Sequence, residues 1–280
     1  MPRACVMQSG RECPRRKRCL RWRLAVAMVV GVAMVGGCGA DPKSKQQLTA
    51  GYAALENRQY DQAISGADEY LRSHPAGPGS AEALYLRGRA LEQKPAASLE
   101  QARANLQAAR GAYIEALGRS PSRRLEAYVH TSLANVAYFQ DDYPTAISEW
   151  TTAYGMLEDE SIKAWVLYRI GLSRQRLGQF ADADATFAAV MQRYPNTVPA
   201  QRARERHGAR AFNVQMATFA QSNSADAAIN ELRAQGVPVH KQIDSKGRSV
   251  VLVGPMASYQ QAQAMKARYA GKYPDAVIVP

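Results

Sequence analysis

The sequence predicts a two-part, multidomain fold: an all-α helical repeat solenoid over residues 44–197, then a small α+β unit over residues 211–280. Two observations predict it. Four segments between Gly51 and Pro195 carry small and aromatic residues in one shared frame. The last 70 residues instead alternate apolar and polar positions in short runs broken by turn signals. A third observation separates both parts from the start of the chain, where most of the excess positive charge precedes a short apolar run ending near Cys38.

That opening segment comes first. Arg3, Arg11, Arg15, Arg16, Lys17, Arg18, Arg21 and Arg23 stand against Glu12 alone, so the first 23 residues hold +7 of the formal +12. The +5 left to the rest is ordinary for its length, which excludes nucleic acid as a default partner. Leu24 to Gly37 is a run of 14 uncharged residues, shorter than the roughly 20 a membrane span needs and suited to the core of an export signal. Cys5, Cys13, Cys19 and Cys38 are the only cysteines, so no disulfide framework or cysteine metal cluster can form from Gly39 onward.

Val35-Gly36-Gly37-Cys38 resembles the bacterial lipobox, an aliphatic residue and two small ones before a cysteine. The resemblance implies that residues 1–37 are a cleaved signal peptide and 38–43 a lipidated terminus and tether. Cys38 is then the lipidation site, its thiol carrying diacylglycerol and its amine an N-acyl (palmitate-type) chain. No other cofactor is expected. More than one chain makes anchoring stable where one is marginal. Gly39 stands where aspartate tends to retain this class in the inner membrane, so the outer membrane is favoured. The long basic stretch leaves Met7 open as the true start.

The repeat frame is justified segment by segment. Gly51, Tyr60-Asp-Gln-Ala63, Ala67, Tyr70 and Pro75 form the first, and Gly88, Ala109, Tyr113, Ala116 and Pro121 the second. Ala134, Tyr143, Ala146, Trp150 and Ala153 form the third; Gly171, Gly178-Gln-Phe180, Ala183, Phe187, Val190 and Pro195 the fourth. Small residues let antiparallel helices approach, the later aromatic fills the gap between them, and proline ends the second helix. The anchoring alanines are 46, 37 and 37 residues apart, with the extra length placed at Pro95–Gln101 and around Glu158–Ser161. Glu158 stands where the third repeat should have its proline.

These spacings resemble the tetratricopeptide repeat. The resemblance implies a solenoid whose first helices line a concave groove for a peptide or protein. Carried over position by position, the partner groove is Tyr52, Tyr85, Arg89, Tyr128, Asn135, Tyr138, Trp165 and Tyr168. Aromatic residues of this kind anchor partners, and as often simply pack repeat on repeat.

After a basic helical linker over 198–210, the pattern changes. Phe212–Phe219 alternates as a strand, Ser224 caps a helix running to Gln235, and Gly236 ends it. Val237–Ile243, a turn at Asp244–Gly247 and Arg248–Val253 form a hairpin stopped by Gly254-Pro255. Ser258 caps a second helix through Lys272, and Ala276–Val279 is the fourth strand. The order βαββαβ gives a four-stranded antiparallel sheet with two helices on one face.

This stretch resembles the SPOR domain, on Val214-Gln-Met-Ala-Thr-Phe219, Leu232-Arg-Ala-Gln-Gly236, and Val251-Leu-Val-Gly-Pro255 with Ser258-Tyr-Gln-Gln-Ala262. The resemblance implies binding to peptidoglycan glycan strands stripped of stem peptides, as found at the division septum. It places the contact on the open sheet face, at Gln215 and Thr218, with Arg248, Val250, Leu252, His240 and Gln242 sharing it. Some members carry an aromatic on the third strand; Val250 stands there, and the domain has no tryptophan, so sugar stacking is missing from this site.

Catalytic chemistry finds no support. His74, His130, His207 and His240 are scattered without metal spacing, and Asp141-Asp142 reads as a solvated loop between repeat helices. The sequence therefore reads as a non-enzymatic, membrane-anchored and periplasm-facing scaffold in cell division or cell-wall remodelling. The alternative is a repeat lipoprotein that assists outer-membrane protein assembly.

Overall fold

The computed structural model describes residues 42–280; the expected export signal and lipidation site, Cys38, lie outside the described residues. Helices α1 (Pro42–Glu56) and α2 (Tyr60–Ser73) form the first antiparallel pair, and α3 (Pro78–Gln93) and α4 (Leu99–Leu117) the second. The third is α5 (Arg123–Phe139) with α6 (Tyr143–Met156), and the fourth α7 (Glu160–Arg176) with α8 (Phe180–Arg193). The four pairs coincide with the four sequence frames. Turns within the first, third and fourth pairs share a left-handed middle residue, Arg58 (φ 61), Asp141 (φ 61) and Gly178 (φ 77). The second pair departs from this, joining its helices by a longer loop through Pro95 to Ser98.

The extra residues of the second repeat lie partly where expected. Ser98 accepts a hydrogen bond from the Gln101 N–H and starts α4 there, so Leu99–Gln101 are helical and α4 is longer than the other second helices. The third repeat ends without proline. Leu157 turns extended after Met156, and Asp159 accepts from the Ser161 and Ile162 N–H groups to start the next helix at Glu160.

Close approach between helices explains the small residues. A Cβ at Gly171 would sit 2.6 Å from the Phe187 ring, and one at Gly88 would overlap the Tyr113 ring. Both rings are fully buried and fill the gap within their own repeat. Gly51 differs, since a Cβ there would meet Leu86 of the next repeat at 2.5 Å. First helices of neighbouring repeats, α1 with α3 and α3 with α5, also touch one another, while second helices make at most glancing contact. The array therefore curves with its first helices inside. Trp150, wholly buried, centres the third repeat.

Helix α9 (Val198–Arg206) starts on a Thr197 cap that accepts from Ala200 N–H. It buries Ala200 and Ala203 against Tyr168, Phe187 and Tyr194, closing the end of the solenoid. Residues 207–210 follow outside the helix.

The α+β unit comprises β1 (Phe212–Phe219), α10 (Ser222–Ala234), β2 (Val239–Ile243), β3 (Ser249–Met256), α11 (Tyr259–Arg268) and β4 (Val277–Val279). Strand order is β2-β3-β1-β4, with every neighbouring pair antiparallel. Its core packs Phe212, Val214 and Met216 of β1 and Val251 and Val253 of β3 against Ile229, Leu232 and Ala262 of the two helices. Several edges differ from expectation. Helix α10 begins at Ser222, so Ser224 lies inside it and is not its cap. Strand β3 runs through Gly254-Pro255 to Met256 instead of stopping there, and α11 ends at Arg268, before Lys272.

Gly171→Ala is expected to lower stability by about 1–3 kcal/mol, because the Phe187 ring has no room to retreat. Gly66→Ala, in mid-α2 with nothing within 4 Å of its added Cβ, should raise it by about 0.5–1 kcal/mol. Urea unfolding followed by helical circular dichroism checks both. Equal midpoints for the two variants would remove the close-approach argument.

Candidate glycan face, partner groove and domain junction

A strand alternates faces with every residue, so Gln215 and Thr218, three apart, should point to opposite sides of the sheet. A bulge changes this. β1 pairs Gln215 with Leu252 and Ala217 with Val251, so Met216 is an inserted residue without its own partner on β3. Alternation is reset, Met216 stays in the core, and Gln215 and Thr218 come to one face. There the Gln215 side-chain amide donates to Thr218 Oγ at 3.1 Å.

Register builds two polar rows on that face. Gln215, Leu252 and His240 lie across one row, and Thr218, Val250 and Gln242 across the next. Lys241 points the other way, to Asp226 at 2.6 Å and Ser222 at 3.0 Å on α10. His240 and Gln242 are exposed and Gln215 and Thr218 half-buried. Val250 and Leu252 occupy the expected face but are only 8% and 5% exposed, so they form its apolar floor and not a contact surface. Arg248 precedes β3, and its guanidinium holds Asp244 at 2.7 and 2.8 Å, closing the hairpin turn with its charge matched.

Two features of this face were missed in the sequence. β4 pairs with β1 only at Asn213, Val214 and Gln215, which leaves the rest of that edge unpaired by a strand. A cleft of about 390 Å³ opens there between Gln215–Thr218 and Lys272–Asp275. Tyr273 lines it, but its ring is part of the domain core. Asn213 continues the polar row toward Gly254, whose φ of +145° and lack of side chain make room for the Asn213 oxygen.

On the inner face of the array, the expected groove residues are occupied by one another and by arginines. Tyr85 is buried and accepts from Arg89 at 3.0 Å; Tyr168 is buried and accepts from Arg206 Nε at 3.1 Å. Both are therefore packing residues, which corrects their expected role as open anchors. Asn135 accepts from Arg169 at 3.0 Å, and Arg169 and Arg176 lie over the Tyr138 ring. Arg202 of α9 lies 5.0 Å from the Trp165 ring, and Arg124 lies over Tyr128. Tyr52 is half-buried at the other end, its hydroxyl pKa raised by burial and then by Glu82. Of these arginines only Arg89 was among the expected groove residues; Arg124, Arg169, Arg176, Arg202 and Arg206 were not.

Comparison with known families agrees with this geometry. The SPOR domain family matches residues 208–280, and the tetratricopeptide repeat family matches residues 165–197. This chain is a tetratricopeptide-repeat protein with a C-terminal SPOR domain. A family described as outer membrane lipoprotein (YfiO) matches residues 39–157. The matched families are binding and scaffold domains. Among solved structures, a tetratricopeptide repeat protein from Parabacteroides merdae aligns with TM-score 0.47 at 16% identity, over 59% of this chain and 59% of that one. A structure titled as the functional characterization of Pseudomonas aeruginosa pilF gives TM-score 0.45 at 15% identity, over 83% of this chain and 92% of that one. MamA MSR-1 gives TM-score 0.44 at 15% identity, over 58% and 83%. No curated protein matches the chain.

The SPOR domain docks on the turns of the last two repeats. Arg176, in the last turn of α7, lies 4.5 Å from the Tyr138 ring, 5.3 Å from Tyr143 and 4.3 Å from Tyr259 of the SPOR domain. It also donates to the Tyr143 hydroxyl at 3.0 Å. Burial works against its charge, and Tyr138, Tyr259 and Tyr143 more than offset that, so its pKa rises. Phe180 packs against Phe212 with the rings tilted and 5.6 Å apart, and joins the SPOR core. The Asp141-Asp142 pair is exposed in the turn between α5 and α6, as expected, and both carboxylates have partners there. Asp142 caps α6 by accepting from Thr145 N–H, while Asp141 meets the Tyr143 hydroxyl, Arg176 at 4.0 Å and Gln263 of the SPOR domain at 3.3 Å.

Replacing Arg176 by alanine together with Phe180 by alanine is expected to undock the SPOR domain. Trypsin should then cut after Arg206 and Arg210 about tenfold faster, since local opening governs cleavage. Each part should keep its own resistance. Unchanged cleavage would show that the junction holds without these two side chains.

Proposed function

We propose that this chain is a lipid-anchored scaffold of the cell envelope, holding peptidoglycan through its SPOR domain and a protein partner through its repeats. The observation that carries it is the bulge-built pair Gln215–Thr218 beside an open cleft. Neutral amides and hydroxyls suit sugars, whose hydroxyl and N-acetyl groups need paired donors and acceptors. The SPOR match supports peptidoglycan as the polymer, and glycan stripped of stem peptides is the form this face fits, having no peptide branches to exclude. Cell division or wall remodelling is the process in which such glycan arises.

Anchoring rests on the lipobox at Val35–Cys38, with diacylglycerol and an N-acyl chain on Cys38. The outer membrane lipoprotein match from residue 39 onward supports the outer membrane, with the folded part in the periplasm. That match also favours a second reading, in which the repeats assist assembly of outer-membrane proteins and the SPOR domain serves as a wall contact. The two differ in distribution. The first requires midcell enrichment that depends on residues 211–280, the second an even distribution and loss of barrel proteins on depletion.

Sedimentation of the full chain with purified sacculi, untreated and amidase-treated, tests the glycan face. Retention should rise on treated wall and fall about tenfold in Gln215→Ala/Thr218→Ala, the loss of two uncharged hydrogen-bonding groups. Equal retention of the double variant would remove the assignment of this face. Equal retention on both walls would remove the preference for stripped glycan.

A further inference from the structure

Docking of the SPOR domain on the array encloses a cavity of about 80 Å³ between them. Arg176 at the end of α7 and Arg206 at the end of α9 both line it, with Tyr138 and Gln175 on the same side. The SPOR domain contributes Tyr259, at the start of α11, and an apolar wall that includes Phe212 and Ile278. No aspartate or glutamate among the described residues lines this space.

The polar groups around it are donors short of acceptors. Arg206 gives Nε to the Tyr168 hydroxyl at 3.1 Å and Nη1 to Gln175 at 3.4 Å, both neutral. No carboxylate among the described residues pairs with it. Gln175 is buried, and its amide also donates to the Arg206 carbonyl at 3.1 Å, which fixes the position of that guanidinium. Arg176 bonds the Tyr143 hydroxyl at 3.0 Å, and its acidic neighbour Asp141 stands 4.0 Å away, outside the lining. The hydroxyls of Tyr138 and Tyr259 have no hydrogen-bond partner among the described residues. Burial raises the Tyr259 pKa while Arg176 works against the rise, and the hydroxyl stays a neutral donor at pH 7.

This arrangement suits an anion. Two guanidinium groups share one small space, and its apolar wall strengthens their field there. The rings of Tyr138 and Tyr259, centred 4.5 and 4.3 Å from Arg176, hold its plane and leave N–H groups on its edge for an oxyanion. Guanidinium groups bind oxyanions through paired hydrogen bonds, which chloride cannot accept. Donors come from three elements, α7, α9 and α11, so an anion with oxygens in several directions satisfies more of them than a planar carboxylate. The volume is that of roughly two or three liquid waters at about 30 Å³ each, which admits a bare phosphate and not a sugar or a lipid headgroup.

We propose that the domain junction is a binding site for a free tetrahedral oxyanion of phosphate type, received by Arg176 and Arg206 of the array and by the Tyr259 hydroxyl of the SPOR domain. Being held from both sides, the anion stabilises the docked arrangement. The site is independent of what the glycan face and the groove bind.

Isothermal titration of phosphate into the detergent-solubilised full chain, at an ionic strength held constant with chloride, tests it. One saturable site is expected. Binding should be about tenfold weaker in Arg206→Gln, the loss of one charge-assisted contact. It should be about threefold weaker in Tyr259→Phe, which keeps the ring and removes only the hydroxyl. The unfolding midpoint of Tyr259→Phe without phosphate should match the parent's, since that hydroxyl has no partner to lose. Saturating phosphate should also slow trypsin cleavage after Arg210 in the parent. No saturable heat, or binding that neither variant weakens, would overturn the site. Acetate bound as tightly as phosphate would overturn the tetrahedral ligand, and glycerol 3-phosphate bound as tightly would overturn the free ion in favour of a phosphate ester.

Discussion

Arg176 is the side chain on which the arrangement of the molecule depends. It belongs to the repeat array, yet three of its neighbours are rings from two domains, Tyr138 and Tyr143 on one side and Tyr259 on the other. A cation at the C-terminal end of a helix is favoured by the helix dipole, and the π faces around it replace part of the water it gives up. Phe180 and Phe212 seal the contact with apolar surface. The result is that β1, the strand that carries the glycan face, is fixed to the array at its first residue. Its open face is left uncovered, and both candidate binding surfaces belong to one body.

The glycan face depends on a smaller constraint. Without the Met216 insertion, either Gln215 or Thr218 would be turned into the core, at the cost of an unpaired polar group there. The bulge solves this locally and, together with the short β4, leaves an opening beside the pair. The buried Val250 and Leu252 matter in the same way. Being covered by their polar neighbours, they hold the rows flat and dry from below without offering a large apolar patch to water.

Much of this was legible in the sequence because it is periodic. The four repeat frames became four helix pairs, since small residues and rings at fixed spacing allow little else, and the strand–helix order of the last 70 residues was marked by turns. What stayed hidden was not periodic. Tyr143 and Phe180 fill slots in the repeat signature, so nothing in their spacing says that they also serve the domain junction. The arginines above Tyr138, Trp165 and Tyr168 lie at positions the signature leaves open, and α9, read as a linker, brings two of them. Helix starts were displaced where two serines compete: Ser222 and Ser224 both suit a cap, and neither side chain takes the role.

The docking also changes what tethering requires. Two sites joined by a loose linker explore many separations, and their combined affinity falls as that range grows. A fixed junction removes this search between glycan face and groove. Such a junction suits a scaffold presenting a bound segment at a set distance from a wall strand.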